Sequence, residues 1–295
     1  MDDSSLKPEI PKSTTSAKLT LPDGKEVNIP IIHPTLGDPM LDVRALQSLT
    51  GMFTFDPGYT VTGSCASQIC YIDGANGELY YRGYNVKDLY KNCKFVEVIY
   101  LLLFGELPSA KELEKFEEKL VDEMIVHSKM IDLYKNFKHN AHPMAIMVSV
   151  VGALATFETV IKSSYELKSD EQKVNCIKMI AKIPMLAGLA HRTSLGLPPV
   201  YPDSKLGFVE NFLMMMFKEP GSEWSIHPTI LSTIDKIFIL HADHEQGPSS
   251  STVRIAASSN ANPFACISAG IASLWGPLHG AADEAIIEML ESIGN

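Results

Sequence analysis

Basic runs, closely spaced cysteine pairs and long apolar stretches are all missing from this sequence, and each absence removes a class of function. The formal net charge is −10 and the pI is near 5.4, with no basic run interleaved with aromatics. A phosphate backbone therefore finds no electrostatic footprint, and nucleic acid is not expected as a partner. The five cysteines, Cys65, Cys70, Cys93, Cys176 and Cys266, are odd in number and none shows Cys-x-x-Cys spacing. That argues against a zinc ribbon or a redox pair and fits a reducing compartment. The longest apolar runs, residues 98–104 and 212–217, are too short to cross a bilayer. The opening "MDDSSLKPEIPKSTTSAKLTL" lacks both the apolar core of a signal peptide and the Arg-rich face of a transit peptide. A cytoplasmic protein with no membrane partner is expected, or an organellar matrix protein if the source is eukaryotic.

Arginine is scarce as well. Only Arg44, Arg82, Arg192 and Arg254 occur, against 21 lysines. Bidentate carboxylate clamps favour arginine, so a site gripping two substrate carboxylates has few donors here.

What is present is enough apolar material for a large core: 45% of 295 residues are hydrophobic. Leu19 and Leu21 alternate with polar neighbours, Pro22 to Gly24 supply a turn, and Val27 and Ile29 alternate beyond it, which predicts a hairpin. A second strand-prone patch, "SQICYIDGANGELYYRGY", follows at 67–84. Residues 1–80 thus read as an N-terminal arm and β-rich region, and 81–295 as a large helical domain.

The period turns helical near Val86. "SAKELEKFEEKLVDEMIVHSKMIDLYKNF" opens on a capping box, Ser109 to Glu112, and predicts one long amphipathic helix or a bent pair. The next predicted helix, 142–161, carries one charge, Glu158, and the small residues Gly152, Ala153 and Ala155, so it must be buried inside the domain or at a subunit interface. Further helices are predicted at "EQKVNCIKMIAKI", "KLGFVENFLMMMF", "HPTILSTIDKIFILHADHEQ", "NPFACISAGIASLW" and "GAADEAIIEMLESI". The fold class is mainly α with a small N-terminal β region, without βαβ alternation or internal repeats.

The densest polar cluster is "HADHEQGPSSSTVRIAASSNANP", 241–263, after an apolar helix. On a continuing helix His241 and His244 share one face, where Asp243 or Glu245 and His279 could complete a metal site. The His-Glu-x-x-His order and any nearby cysteine ligand are missing, so no metal is expected. The alternative is that one or both histidines are satisfied core or helix-terminus residues, which on its own is the better account of His241. His279 stands apart because Gly276, Pro277 and Gly280 bracket it and Ala281 and Ala282 open the next helix. Small residues let a substrate approach the backbone. A histidine at the positive end of a helix dipole is favoured as a neutral ring donating N–H to a carbonyl oxygen, which suits enol chemistry. A packing turn with an incidental histidine is the bland alternative.

The run "ILHADHEQGPSSSTVRIAASSNANPFACISAGIASLWGPLHGAADEA" resembles citrate synthase, of the bacterial-type hexameric branch, and the likeness extends through "HPMAIM", "YYRGY" and "FTFDPGYT" back to about Lys18. The resemblance implies a citrate synthase-like large helical domain and condensation of acetyl-CoA, a substrate and not a cofactor, with oxaloacetate to citrate and CoA. No cofactor is implied. It makes His279 the catalytic histidine on the thioester carbonyl and His244 a substrate-binding contact to oxaloacetate. It puts helices near 142–159, 262–275 and 280–293 at the interface of a homodimer or hexamer.

The same resemblance exposes what this sequence does not hold. The family's aspartate in an Asn-Val-Asp-Phe context and second histidine in a Gly-x-Gly-His-Arg context do not occur in it. The small CoA-binding domain that carries them is therefore expected to be missing, and the protein to be truncated at its C-terminal end and inactive alone. Asp283 and Glu284 could be nominated as the base, but their place in a first helical turn suits stabilisation of the helix N-terminus. Where the NADH-inhibited bacterial enzymes carry Arg-His-Thr, this sequence has Asp122, Glu123 and Met124, and Gly221 stands near the regulatory cysteine; Lys178 and Lys182 match basic positions of that site. Acidic residues repel a dinucleotide's phosphates, so no NADH inhibition is expected. Two further readings stay open: 2-methylcitrate synthase, which takes propionyl-CoA on the same scaffold, and a non-catalytic partner subunit of a full-length enzyme.

Overall fold

The computed structural model describes residues 13–158 and 169–294, without the side chains of 169–172 and 283. The expected hairpin forms from β1 (Ser16–Thr20) and β2 (Glu26–Ile32), antiparallel with Leu19 opposite Val27. Gly24 closes its turn in the left-handed region, φ +81°, which a side chain would resist. β3 (Met40–Leu41) pairs with the far end of β2, and α1 (Leu46–Thr50) follows. A second antiparallel sheet holds β4 (Cys70–Asp73), β5 (Glu78–Tyr81) and β6 (Tyr84–Asn85), at the strand-prone patch 67–84 and one residue beyond it. These strands belong to one compact unit ending at Asn85, and a second unit begins at Val86.

The second unit is helical: α2 (Val86–Asn92), α3 (Phe95–Phe104), α4 (Ala110–Asp122), α5 (Ser128–Tyr134), α6 (Pro143–Ala153), α7 (Ser169–Ser194), α8 (Phe208–Phe217), α9 (Pro228–Leu240), α10 (Pro248–Ser258), α11 (Pro263–Leu274) and α12 (Ala281–Ile293). The chain is mainly α, as its periodicity predicts. No helix among the described residues is long and apolar enough to cross a membrane.

The long amphipathic stretch resolves into the bent pair α4 and α5. The capping box starts α4, with the Ser109 N–H donating to Glu112 Oε2 at 2.8 Å. The helix stops at Asp122 because the next residues turn inward: Met124 and Val126 are buried, and Lys182 Nζ from α7 takes the Glu123 and Ile125 carbonyls at 2.9 and 3.1 Å. Lys182 is only 6% exposed. Its counter-charges are Glu158 at 3.5 Å and Glu123 at 3.9 Å, while Lys178 meets the other Glu158 oxygen at 3.5 Å. The two lysines are thus engaged within the protein itself.

Two helix boundaries differ from expectation. α6 ends at Ala153 and continues only as a 3-10 turn to Thr156, and residues 159–161 of the predicted helix lie outside the described residues. Its buried face, Ile146, Met147, Val150 and Val151, is covered by α7 and α11 of the same polypeptide, so that burial needs no second subunit. α7, expected to end before Pro184, runs through it for 26 residues. Ile177, Ala181, Met185 and Leu189 form one buried stripe on both sides of the proline, and packing outweighs the lost ladder bond. Where α7 crosses α8, a Cβ on Gly188 would sit 3.0 Å from Met215 Cβ and 3.2 Å from its carbonyl, so a larger residue would have to push the two helices slightly apart. Arg192, 1% exposed, ties the two C-termini together through the carbonyls of Pro198, Met216 and Lys218.

α9 is fixed to the start of α3 by Asp235, whose carboxylate accepts the Phe95 N–H at 3.1 Å, and to the link between α2 and α3 by Lys236, which donates to the Cys93 carbonyl at 2.8 Å. Burial raises the Asp235 carboxyl above the ordinary aspartate value of 3.8, against the lowering effect of the Phe95 bond and two lysines. A raised folded value means that ionisation costs stability, a cost absent at low pH and present once pH has climbed past the raised value. Asp235→Asn keeps an oxygen for Phe95 and carries no charge. It is expected to melt above the wild type at pH 7, with the gap closing towards about pH 4, and thermal melts across that range check it. An unchanged gap would refute it.

Candidate active site

The polar cluster does not continue a helix. α9 ends at Leu240, His241 is its C-cap with its N–H on the Ile237 carbonyl at 3.1 Å, and the backbone then turns irregular. His241 and His244 therefore do not share a helical face; their rings meet edge to face with centroids 6.0 Å apart. Beyond the break Glu245 takes a left-handed backbone, φ +58°, while its N–H donates to Asp243 Oδ1 at 2.8 Å. Such a conformation costs roughly 1–3 kcal/mol in a residue other than glycine and persists where its surroundings over-determine it. Among the described residues no group of three or more His, Cys, Asp or Glu side chains could hold a metal ion, so the constellation of His241, His244 and His279 does not assemble.

Gly247 and Pro248 then start α10, a helix the sequence reading passed over. The signal was there, since proline in the first turn is pre-set for a helix, but the serines behind it hide the period. Ser249 stands one residue into α10, and its Oγ lies 3.0 Å from Nε2 of His279. The pair is brought together by close packing of α10 on α11. A Cβ on Gly270 would lie 2.5 Å from Val253 and 3.4 Å from the Ser249 carbonyl. On its other side α11 meets α6, where Ser268 Oγ donates to the Val148 carbonyl at 2.6 Å.

His279 itself lies half-buried in the turn between α11 and α12. Its N–H donates to the Gly276 carbonyl at 2.9 Å, and its carbonyl accepts the Ala282 N–H at 3.0 Å. Gly280 closes the turn with an N–H bond to the Leu274 carbonyl at 2.9 Å. A Cβ there would be 2.7 Å from that same oxygen, which is the physical reason for the second glycine of "GPLHG". Outside the turn stands His142, the N-cap of α6. Its Nδ1 accepts the Met144 N–H at 3.1 Å, its ring lies on Trp275 with centroids 4.9 Å apart, and its Nε2 is 3.5 Å from Glu284 Oε2. Glu284 is thus engaged at the start of α12, and the side chain of Asp283 lies outside the described part. Sequence reasoning missed both Ser249 and His142.

The arginines are occupied. Arg44 pairs with Asp42 at 2.6 Å, Arg192 is buried on three carbonyls, Arg254 donates to Gln246 at 2.9 Å, and Arg82 reaches the Gln68 carbonyl at 3.5 Å. His279 and Ser249 together can present one imidazole nitrogen to a carbonyl oxygen. They offer no clamp for a dicarboxylate.

Comparison with known proteins extends this site to a family. The model of the citrate synthase C-terminal domain matches residues 58–295. The fold is similar to citrate synthase from Pyrobaculum aerophilum, at 28% identity and a TM-score of 0.70, over 98% of this chain and 65% of that one. It is similar to citrate synthase from Thermotoga maritima, at 28% identity and a TM-score of 0.69, over 82% of this chain and 62% of that one. A third similar structure is citrate synthase from the archaeon Thermoplasma acidophilum, a ternary complex with carboxymethyl coenzyme A and oxaloacetate, at 26% identity, a TM-score of 0.73, and 79% and 59% coverage. The chain thus spans roughly three fifths of the length of these solved relatives. A family model that accounts for everything from Gly58 onward, a shared helical architecture and a histidine held by a serine on the glycine-bracketed turn lead to one assignment: the chain belongs to the citrate synthase family.

Proposed function

We propose that this protein carries the enol-stabilising half of a citrate synthase active site, for the condensation of acetyl-CoA with oxaloacetate to citrate and CoA. The observation that carries the reading is the 3.0 Å contact between Ser249 Oγ and His279 Nε2 on the "GPLHG" turn. With Ser249 donating to Nε2, the ring proton resides on Nδ1, and Nδ1–H is the donor to the thioester carbonyl oxygen. As a base removes a methyl proton, charge develops on that oxygen and the donor stabilises it. The enol carbon then attacks the keto carbon of oxaloacetate, and hydrolysis of the resulting thioester releases CoA. His244, exposed just after α9, is proposed to contact oxaloacetate.

Condensation also needs the base and cationic clamps for two carboxylates, and the engaged arginines and Glu284 do not supply them. Residues 1–295 by themselves are expected to form no citrate, whereas the same residues followed by the remaining segment of a full-length citrate synthase are expected to turn over. Thiol release from acetyl-CoA measures both. Robust turnover by 1–295 alone would sink the first half, and an inactive but folded chimera the second. A preference for propionyl-CoA in the active chimera would move the reading to 2-methylcitrate synthase.

Self-association is proposed through α12. Its apolar stripe, Ile286, Ile287, Leu290 and Ile293, is 50–71% exposed, a contiguous apolar face of the kind that marks interfaces. Sedimentation velocity at micromolar concentration is expected to show dimers or larger species, dissociated by Ile287→Glu with Leu290→Glu. A monomer throughout would overturn this.

A further inference from the structure

We infer that His142 is the positioning residue that sets the place of the His279 ring. The inference rests on the proposed role of His279 for its functional meaning, but its geometry stands alone. Nδ1 of His142 accepts the Met144 N–H at 3.1 Å, so the ring proton resides on Nε2. That nitrogen lies 3.5 Å from Glu284 Oε2, in the first turn of α12. The face of the same ring lies on Trp275, centroids 4.9 Å apart and planes 34° from parallel. Trp275 is the C-cap of α11, just before the turn, and Glu284 is the fourth residue of α12, after it, so one imidazole touches a side chain on either side of the segment that carries His279.

Capping alone does not require this side chain. Asparagine, aspartate and serine are the stronger N-caps, and none of them has a flat face for an indole or a second nitrogen for a carboxylate. His227 caps α9 in the same manner, with Nδ1 on the Thr229 N–H at 3.2 Å, and provides the control. Within the turn, Ser249 holds the His279 ring from α10 at 3.0 Å. His142 touches the Trp275 ring and the Glu284 carboxylate, on either side of it, from the N-terminus of α6. The ring therefore stays on Ser249 only while both sides are held.

The test uses residues 1–295 and the nitrogen resonances of the His279 ring, together with Trp275 emission. His142→Asn keeps a cap and removes the ring and its proton donor. It is expected to leave the helical circular dichroism intact, to shift or broaden the His279 resonances and to change Trp275 emission, while His227→Asn changes neither. Glu284→Ala is expected to reproduce the resonance shift, and Glu284→Gln, which keeps an acceptor for Nε2–H, to restore it. In the citrate-forming chimera, kcat is expected to fall about 5- to 20-fold in His142→Asn, with KM for oxaloacetate unchanged. Unaltered His279 resonances in both His142→Asn and Glu284→Ala would overturn the inference. If His142→Asn fails to fold, Glu284→Ala decides alone. Should His279→Ala leave the chimera fully active, the functional reading fails, and the resonances still decide whether His142 positions that ring.

Discussion

In a citrate-forming chimera, His279→Ala is expected to lower kcat by roughly 10²–10³-fold while KM for oxaloacetate changes little. The reason, on the proposed role of His279, is differential: an Nδ1–H donor would meet little charge on a thioester carbonyl and much more on the enolate-like oxygen, so its removal would be felt in the transition state. Ser249→Ala removes the group 3.0 Å from Nε2 and frees the ring to change tautomer or rotate. Its expected cost is smaller, about tenfold, and the double variant should lose no more than His279→Ala alone, because the serine acts through the histidine. Steady-state kinetics on the four proteins check this. Independent, multiplying losses would show that Ser249 touches the substrate in its own right.

The second large effect concerns stability. Lys182→Met keeps most of the aliphatic stem but removes the ammonium that serves the Glu123 and Ile125 carbonyls and faces Glu158 and Glu123. Removing one partner of a buried pair typically costs about 3–5 kcal/mol. Because Glu123 and Glu158 are 33% and 18% exposed, the lower end, about 3 kcal/mol, is expected. Urea unfolding measures it, and a loss below about 1 kcal/mol would contradict the buried-cation account. The same pairings set the Glu123 and Glu158 carboxylates beside Lys178 and Lys182, where they oppose a dinucleotide's phosphates. Calorimetric titration of the wild type with NADH is expected to show no binding, and tight binding would contradict the reading.

Much of the fold was legible because its signals are local. The Pro-Asp-Gly hairpin, the Ser109–Glu112 box and the change of period at Val86 each depend on residues within a few positions of one another. What escaped depends on contacts remote in sequence. α7 continues through Pro184 because the stripe at Met185 and Leu189 packs on the core, and α9 stops at Leu240 although the polar cluster after it could have continued a helix. At the site, His279 announced itself through its flanking glycines. Ser249 sat unmarked in a serine run, and His142 looked like the start of an apolar helix, because histidine is not among the usual capping residues.

α7 has a further consequence, for the lengths of other helices. It is a helix of 26 residues, about 39 Å long at 1.5 Å per residue, and its two buried cations each meet carbonyls at or just past the C-terminus of another helix: Lys182 those of Glu123 and Ile125 after α4, Arg192 those of Met216 and Lys218 at the end of α8. A cation is favoured at that pole of a helix, so α7 acts as a ruler whose marks say where two neighbours stop. One residue inserted between positions 182 and 192 would turn the second mark by about 100° relative to the first, leaving one neighbour without its stop.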